Sequence, residues 1–81
     1  MNQLESNRAN SPAHEIRLGS IKATLWLNET SAGPRYNVTI GRLYKDANDA
    51  WRTSESLGRD DLLLAAKVLD LAHSWLHANG E

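Results

Sequence analysis

The chain has 81 residues, no cysteine and a formal net charge of −1. That length supports one small core, burying only about 60% of the surface its unfolded form exposes, and the missing thiols exclude disulfides and thiolate metal sites as supplements. The near-neutral balance argues against a strongly basic nucleic-acid binder.

Met1–Ala13 has almost no apolar content and no periodicity, so it is expected to be a disordered tail ahead of a single domain over residues 14–81. This start has neither a basic nor an apolar leader region, and no apolar run approaches the roughly 20 residues of a membrane span. A cytoplasmic location is therefore expected. In that setting the sequons at Asn28 and Asn37 are read as strand or turn chemistry rather than glycosylation sites.

From Ile16 the apolar residues alternate. Ile16 and Leu18 have one parity, then after Gly19-Ser20 the set Ile21, Ala23, Leu25 and Leu27 has the other, which predicts half-buried strands joined by a bulge or tight bend. Glu29–Pro34 is rich in turn formers and predicts a hairpin loop. The next strand is expected from Arg35 to about Lys45, with Tyr36, Val38 and Ile40 facing inward. A bulge at Gly41 is expected to turn Leu43 inward as well, leaving Arg42 and Tyr44 outward. Asp46–Asp49 is a second connection, and Trp51–Ser56 a short strand in which Trp51 lies on a core parity.

Asp60 is expected to cap a helix running to about Ala78 and stopping at Asn79-Gly80. Leu62, Leu64, Ala65, Val68, Leu69, Leu71, Ala72, Trp75 and Leu76 fill one broad half of its wheel; Lys67, Asp70, Ser74 and His77 occupy the other. Leu63 falls among the polar residues, as an isolated surface leucine or a partner contact. The expected fold is thus α+β: an antiparallel sheet of three to four strands covered on one face by a long C-terminal amphipathic helix. Because one helix covers only part of a twisted sheet, a homodimer is expected to add burial.

The stretches Ile16–Glu29 (IRLGSIKATLWLNE), Gly33–Asp46 (GPRYNVTIGRLYKD) and Trp51–Trp75 resemble a family of small, uncharacterised bacterial proteins. That resemblance covers nearly everything after the tail and brings no catalytic or binding residue with it. The order of elements is also similar to the positive-cofactor-four coactivator and Whirly group, whose dimeric sheets bind single-stranded DNA. The second likeness is one of topology, and implies function only by analogy.

Residues 14–59 hold seven Lys or Arg against five Asp or Glu, whereas from Asp60 onward Lys67 opposes Asp60, Asp61, Asp70 and Glu81. The cationic excess therefore travels with the sheet. With the parities above, Lys22, Trp26, Arg42, Tyr44 and Arg52 share the uncovered face. Cations that neutralise phosphates and rings that stack on bases are what single-stranded DNA or RNA requires. A nucleic-acid-binding accessory or regulatory protein is the leading expectation. The rival is a protein-interaction or homodimerisation module, in which these are solvent-side residues with Trp26 and Tyr44 paired across strands.

Other chemistry has less to stand on. His73 and His77, four apart with Asp70 nearby, have chelating spacing, but imidazoles near a helix C-terminus are favoured by the dipole alone, so no metal is expected. A phosphate loop, a nucleophile elbow and a motif-placed carboxylate pair are all missing. Neither an enzyme nor a cofactor is expected.

Overall fold

A computed structural model describes residues 12–79. Four strands, β1 (Pro12–Leu18), β2 (Ile21–Thr30), β3 (Gly33–Lys45) and β4 (Trp51–Ser54), form one antiparallel sheet in the order β1-β2-β3-β4. A 3-10 turn over Arg59–Asp61 leads into α1 (Leu62–Ala78). The arrangement is α+β, as the alternating and helical periods predict. The first strand opens at Pro12, inside the stretch assigned to the tail; Met1–Ser11 lie outside the described residues.

The change of parity at Gly19-Ser20 is a two-residue hairpin turn, with Gly19 at φ +59°, a conformation glycine adopts without a Cβ clash. Reversing the chain there puts Leu18 beside Ile21 and Ile16 beside Ala23, so both sets share one face. The second hairpin is tighter than expected. Its strands extend to Thr30 and Gly33, and the Thr30 hydroxyl donates to the Gly33 carbonyl at 2.6 Å while accepting the Ala32 N–H at 3.2 Å.

Ile21, Ala23, Ala65 and Val68 form the buried cluster, with Ile16, Leu18, Val38, Ile40 and Leu57 packed against it. Ile21, Leu25 and Val68 are 0% exposed. The apolar half of α1 is broader than what it buries. Ala65, Val68 and Ala72 are buried, while Leu62 and Leu69 remain 54% and 45% exposed and Leu63 85%. A helix about 10 Å across spans two strands spaced about 4.8 Å, and α1 lies chiefly over β2 and β1. Its flanks therefore overhang, and the helix side of β4 stays open.

The ends of α1 follow local hydrogen bonding. Asp61, not Asp60, supplies the early acceptor, its Oδ2 taking the Gly58 N–H at 2.8 Å, because the 3-10 turn moves the helix start forward. At the other end the Asn79 Nδ2 donates to the Trp75 carbonyl at 2.8 Å and the Asn79 N–H to Leu76 at 3.2 Å. Trp75 is half-buried, as its parity predicts. Its ring stacks on His14 at 4.8 Å and meets Tyr36 edge-on at 5.6 Å, tying the C-terminal turns of α1 to β1 and β3. Among the described residues, no helix is long and apolar enough to cross a membrane.

The expected bulge at Gly41 is replaced by regular pairing. On β2 the register runs Ala23↔Ile40, Lys22↔Gly41, Ile21↔Arg42 without a shift, and on β4 it continues Arg42↔Ser54, Leu43↔Thr53, Tyr44↔Arg52, Lys45↔Trp51. Two ladders hold β3 here, so the side chains simply keep alternating. Arg42, Tyr44 and Arg52 consequently lie on the helix side, whereas Leu43, Thr53 and Trp51 lie on the open side. This corrects three expectations: that Arg42, Tyr44 and Arg52 face away from the helix, that Leu43 turns inward, and that Trp51 is a core residue. Trp51 is 63% exposed.

Candidate nucleic-acid interface

Strand parity divides the five expected contact residues between the two faces of the sheet. Lys22 and Trp26 are on the open face; Arg42, Tyr44 and Arg52 are on the other, so they do not form one platform with the first pair. Trp26 and Tyr44 are not cross-strand partners either, since Trp26 pairs with Asn37 and Tyr44 with Arg52.

The three helix-side residues are engaged in holding the fold together. Arg42 Nε donates to the Ser56 carbonyl at 3.3 Å and sits 3.5 Å from Asp61 Oδ2, linking β3 to the segment that starts α1. Its guanidinium also lies 5.6 Å from the Tyr44 ring centroid. Placing a cation on the core parity is tolerable because α1 does not cover this end of the sheet and Asp61 neutralises it.

Arg52 donates to Asp46 Oδ2 at 2.6 Å, and Asp46 Oδ1 accepts the Asn48 and Ala50 N–H groups at 2.8 and 3.0 Å. Asp46 thereby closes the β3–β4 connection. The Arg52 guanidinium first, then the backbone donors, hold the Asp46 carboxyl below its usual value of 3.8. A depressed folded-state pKa contributes stability above the unfolded value, and this is lost as pH falls through the folded one. The melting temperature of wild type is accordingly expected to exceed that of Asp46→Asn at neutral pH, with the gap shrinking below about pH 4. Thermal melts of both proteins from neutral pH downward measure that gap; one constant across the range removes the assignment.

The open face has its own geometry. Trp26 is half-buried, and its indole Nε1 donates to Thr39 Oγ1 at 3.0 Å, fixing the ring in orientation across β2 and β3. Beside it a trough of about 230 Å³ is lined by Lys22, Thr24, Thr39, Gly41, Thr53 and Glu55. Gly41 forms its floor for a steric reason. A Cβ at that position would lie 2.5 Å from Thr53 Cγ2, so the methyl of Thr53 occupies the place of the missing side chain.

At the far end Lys45 Nζ stands 5.5 Å from the Trp51 ring centroid and 3.7 Å from Asp49 Oδ1. The parities of Arg17 and Lys22, neighbours across β1 and β2, place both cations on this side, while Glu15 and Glu55 oppose them. The face is therefore mixed in charge with a ring toward each end. A bulge at Gly41 leaves Lys45 out of the expected face and puts Trp51 in the core; unbroken alternation through Gly41, Leu43 and Lys45 is the signal that places both on the open side.

His73 and His77 meet with ring centroids 4.5 Å apart, while Asp70 pairs with Lys67 at 3.7 Å. Among the described residues no group of three or more His, Cys, Asp or Glu side chains is placed to hold a metal. No protein-family model, curated protein or solved structure matches the chain, so the residues and their geometry carry the functional reading.

Proposed function

We propose that this protein binds single-stranded nucleic acid on the open face of its sheet, with Lys22 and Trp26 as the principal contacts. The observation that carries the reading is their shared placement on the face α1 does not cover, where Trp26 is oriented by its bond to Thr39 and Lys22 lines the adjoining trough. A fixed indole stacks on any base, and a neighbouring ammonium neutralises a phosphate, so recognition is of unpaired strand rather than of sequence. The low net charge makes the affinity modest and strongly salt-dependent.

Titration of a fluorescent oligothymidylate at low and at near-physiological salt tests this. Affinity is expected to fall as salt rises, Trp26→Ala to cost about 1–3 kcal/mol, and Lys22→Ala to reduce the salt slope by about one. Arg52→Ala, on the opposite face, is expected to leave the slope unchanged. Absence of binding at low salt, or equal losses from Arg52→Ala and Lys22→Ala, overturns the proposal.

A rival reading, a homodimerisation module without nucleic-acid binding, draws on the helix side. The molecule is a slab 40 × 33 × 15 Å with Leu62, Leu63 and Leu69 exposed along α1, and a second copy would add apolar burial that one helix on one sheet lacks. A dimer mass in sedimentation, together with no oligonucleotide binding, favours that reading.

A further inference from the structure

The open face has a feature that single-site binding at Trp26 leaves unused. Trp51 is 63% exposed and projects from the same face, at the opposite end of β3, with Lys45 Nζ 5.5 Å from its ring centroid. An exposed indole of that size forgoes burial that a stacked base would supply, and the adjacent ammonium lies over the ring, 3.7 Å from Asp49 Oδ1.

Register gives the separation. Trp26 pairs with Asn37 and Trp51 with Lys45, so the two stations are eight residue steps apart along β3, about 27 Å at about 3.4 Å per residue. Between them lies the trough over Gly41, with Lys22 on its β2 side and Glu55 at its β4 edge. The central stretch thus has no ring to stack on, and Glu55 and the Asp49 carboxylate beside Lys45 keep the cations from forming a strong phosphate site by themselves.

We infer that Trp26 and Trp51 are two stacking stations of one track, and that the protein selects single strands long enough to reach both. This rests on the open-face reading above and adds a length requirement to it. A stacked strand advances about 3.4 Å per nucleotide, so the track corresponds to about eight nucleotides, or to about four if the strand is drawn out to twice that spacing. Either number is within the usual range of single-strand site sizes, about 4–16 nucleotides. Engaging the second station is an intramolecular event once the first is occupied, so affinity rises by a step at the bridging length instead of in proportion to length.

The experiment is a length series of oligothymidylates from about 2 to about 16 nucleotides, titrated at low salt against wild type, Trp51→Ala, Trp51→Phe and Trp26→Ala, with circular dichroism confirming that each variant is folded. Wild type is expected to show a step of at least about tenfold between the dimer and the decamer. Trp51→Ala should abolish the step while leaving the affinity of the shortest oligomers within about twofold, and Trp51→Phe, which keeps a ring, should preserve it. A smooth rise with length in wild type, or a step that survives Trp51→Ala, overturns the two-station track while leaving open-face binding intact. Failure of every length to bind overturns both.

Discussion

Val68→Asp is expected to leave the chain without cooperative folding at room temperature. Val68 is 0% exposed and packs with Ile21, Ala23 and Ala65, where a carboxylate would have neither water nor a cation. Burying an unpaired charge costs several kcal/mol even after relaxation. A single core in a chain this size rarely supplies more than about 3–5 kcal/mol, so the substitution removes most or all of the margin. Circular dichroism should show a lost helix signal and no sigmoidal melt. Leu25→Ala provides the graded comparison: also fully buried, it should cost about 2–5 kcal/mol and lower the midpoint by roughly 4–8 °C per kcal/mol. If Val68→Asp melts cooperatively near wild type, α1 does not pack on the sheet as described.

Gly41→Val is expected to detach β4, the second large effect. Gly41 is buried, and a Cβ there would stand 2.5 Å from Thr53 Cγ2 and 3.1 Å from the Ser54 carbonyl oxygen. The first obstacle is a side-chain methyl, but the second is backbone in the ladder partner, so β4 itself must shift. Overpacking of this kind costs about 1–3 kcal/mol or more, well above the roughly 0.4–1 kcal/mol that removing a glycine recovers from the unfolded chain. Because β4 pairs only over Trp51–Ser54, amide exchange should quicken there first while β1 and β2 remain protected. Thr53→Ser removes the methyl and should recover part of the loss in a Gly41→Ala background, a coupling a double-mutant cycle reads directly. Additive losses would mean that Thr53 does not fill the space over Gly41. Displacing β4 also moves Trp51, so the same glycine supports both the fold and the proposed distal station.

Legibility from sequence differs along the chain for physical reasons. The alternation of Ile21, Ala23, Leu25 and Leu27 and the 3.6-residue period of Ala65, Val68 and Ala72 are local signals, and β2 and α1 follow them. Gly19-Ser20 mark a bulge or tight bend in the sequence, and the pairing of β1 with β2 makes it a hairpin. Beyond Gly41 on β3, Leu43 suggests an inward face that the structure does not show. There the apolar pattern is overridden: Arg42 is satisfied on the helix side by Asp61 and Ser56, and Leu43 takes the open side next to Thr53.

Of the candidate site, Lys22 and Trp26 were legible because β2 has an unambiguous parity. The reversed alternation beyond Gly41 puts Arg42, Tyr44 and Arg52 on the wrong face, assigns Trp51 to the core and leaves Lys45 out. The α+β class, the connections after β2 and β3 and the extent of α1 are legible from residues within a few places of one another, whereas the strand number stays at three to four because Gly19-Ser20 reads equally as a bulge or a tight bend. Which side of the sheet each β3 and β4 side chain occupies, and how much of α1 is buried, is set in the folded chain. Those outcomes depend on ladders to two neighbouring strands and on the width of one helix against four strands, which are contacts between residues distant in the chain.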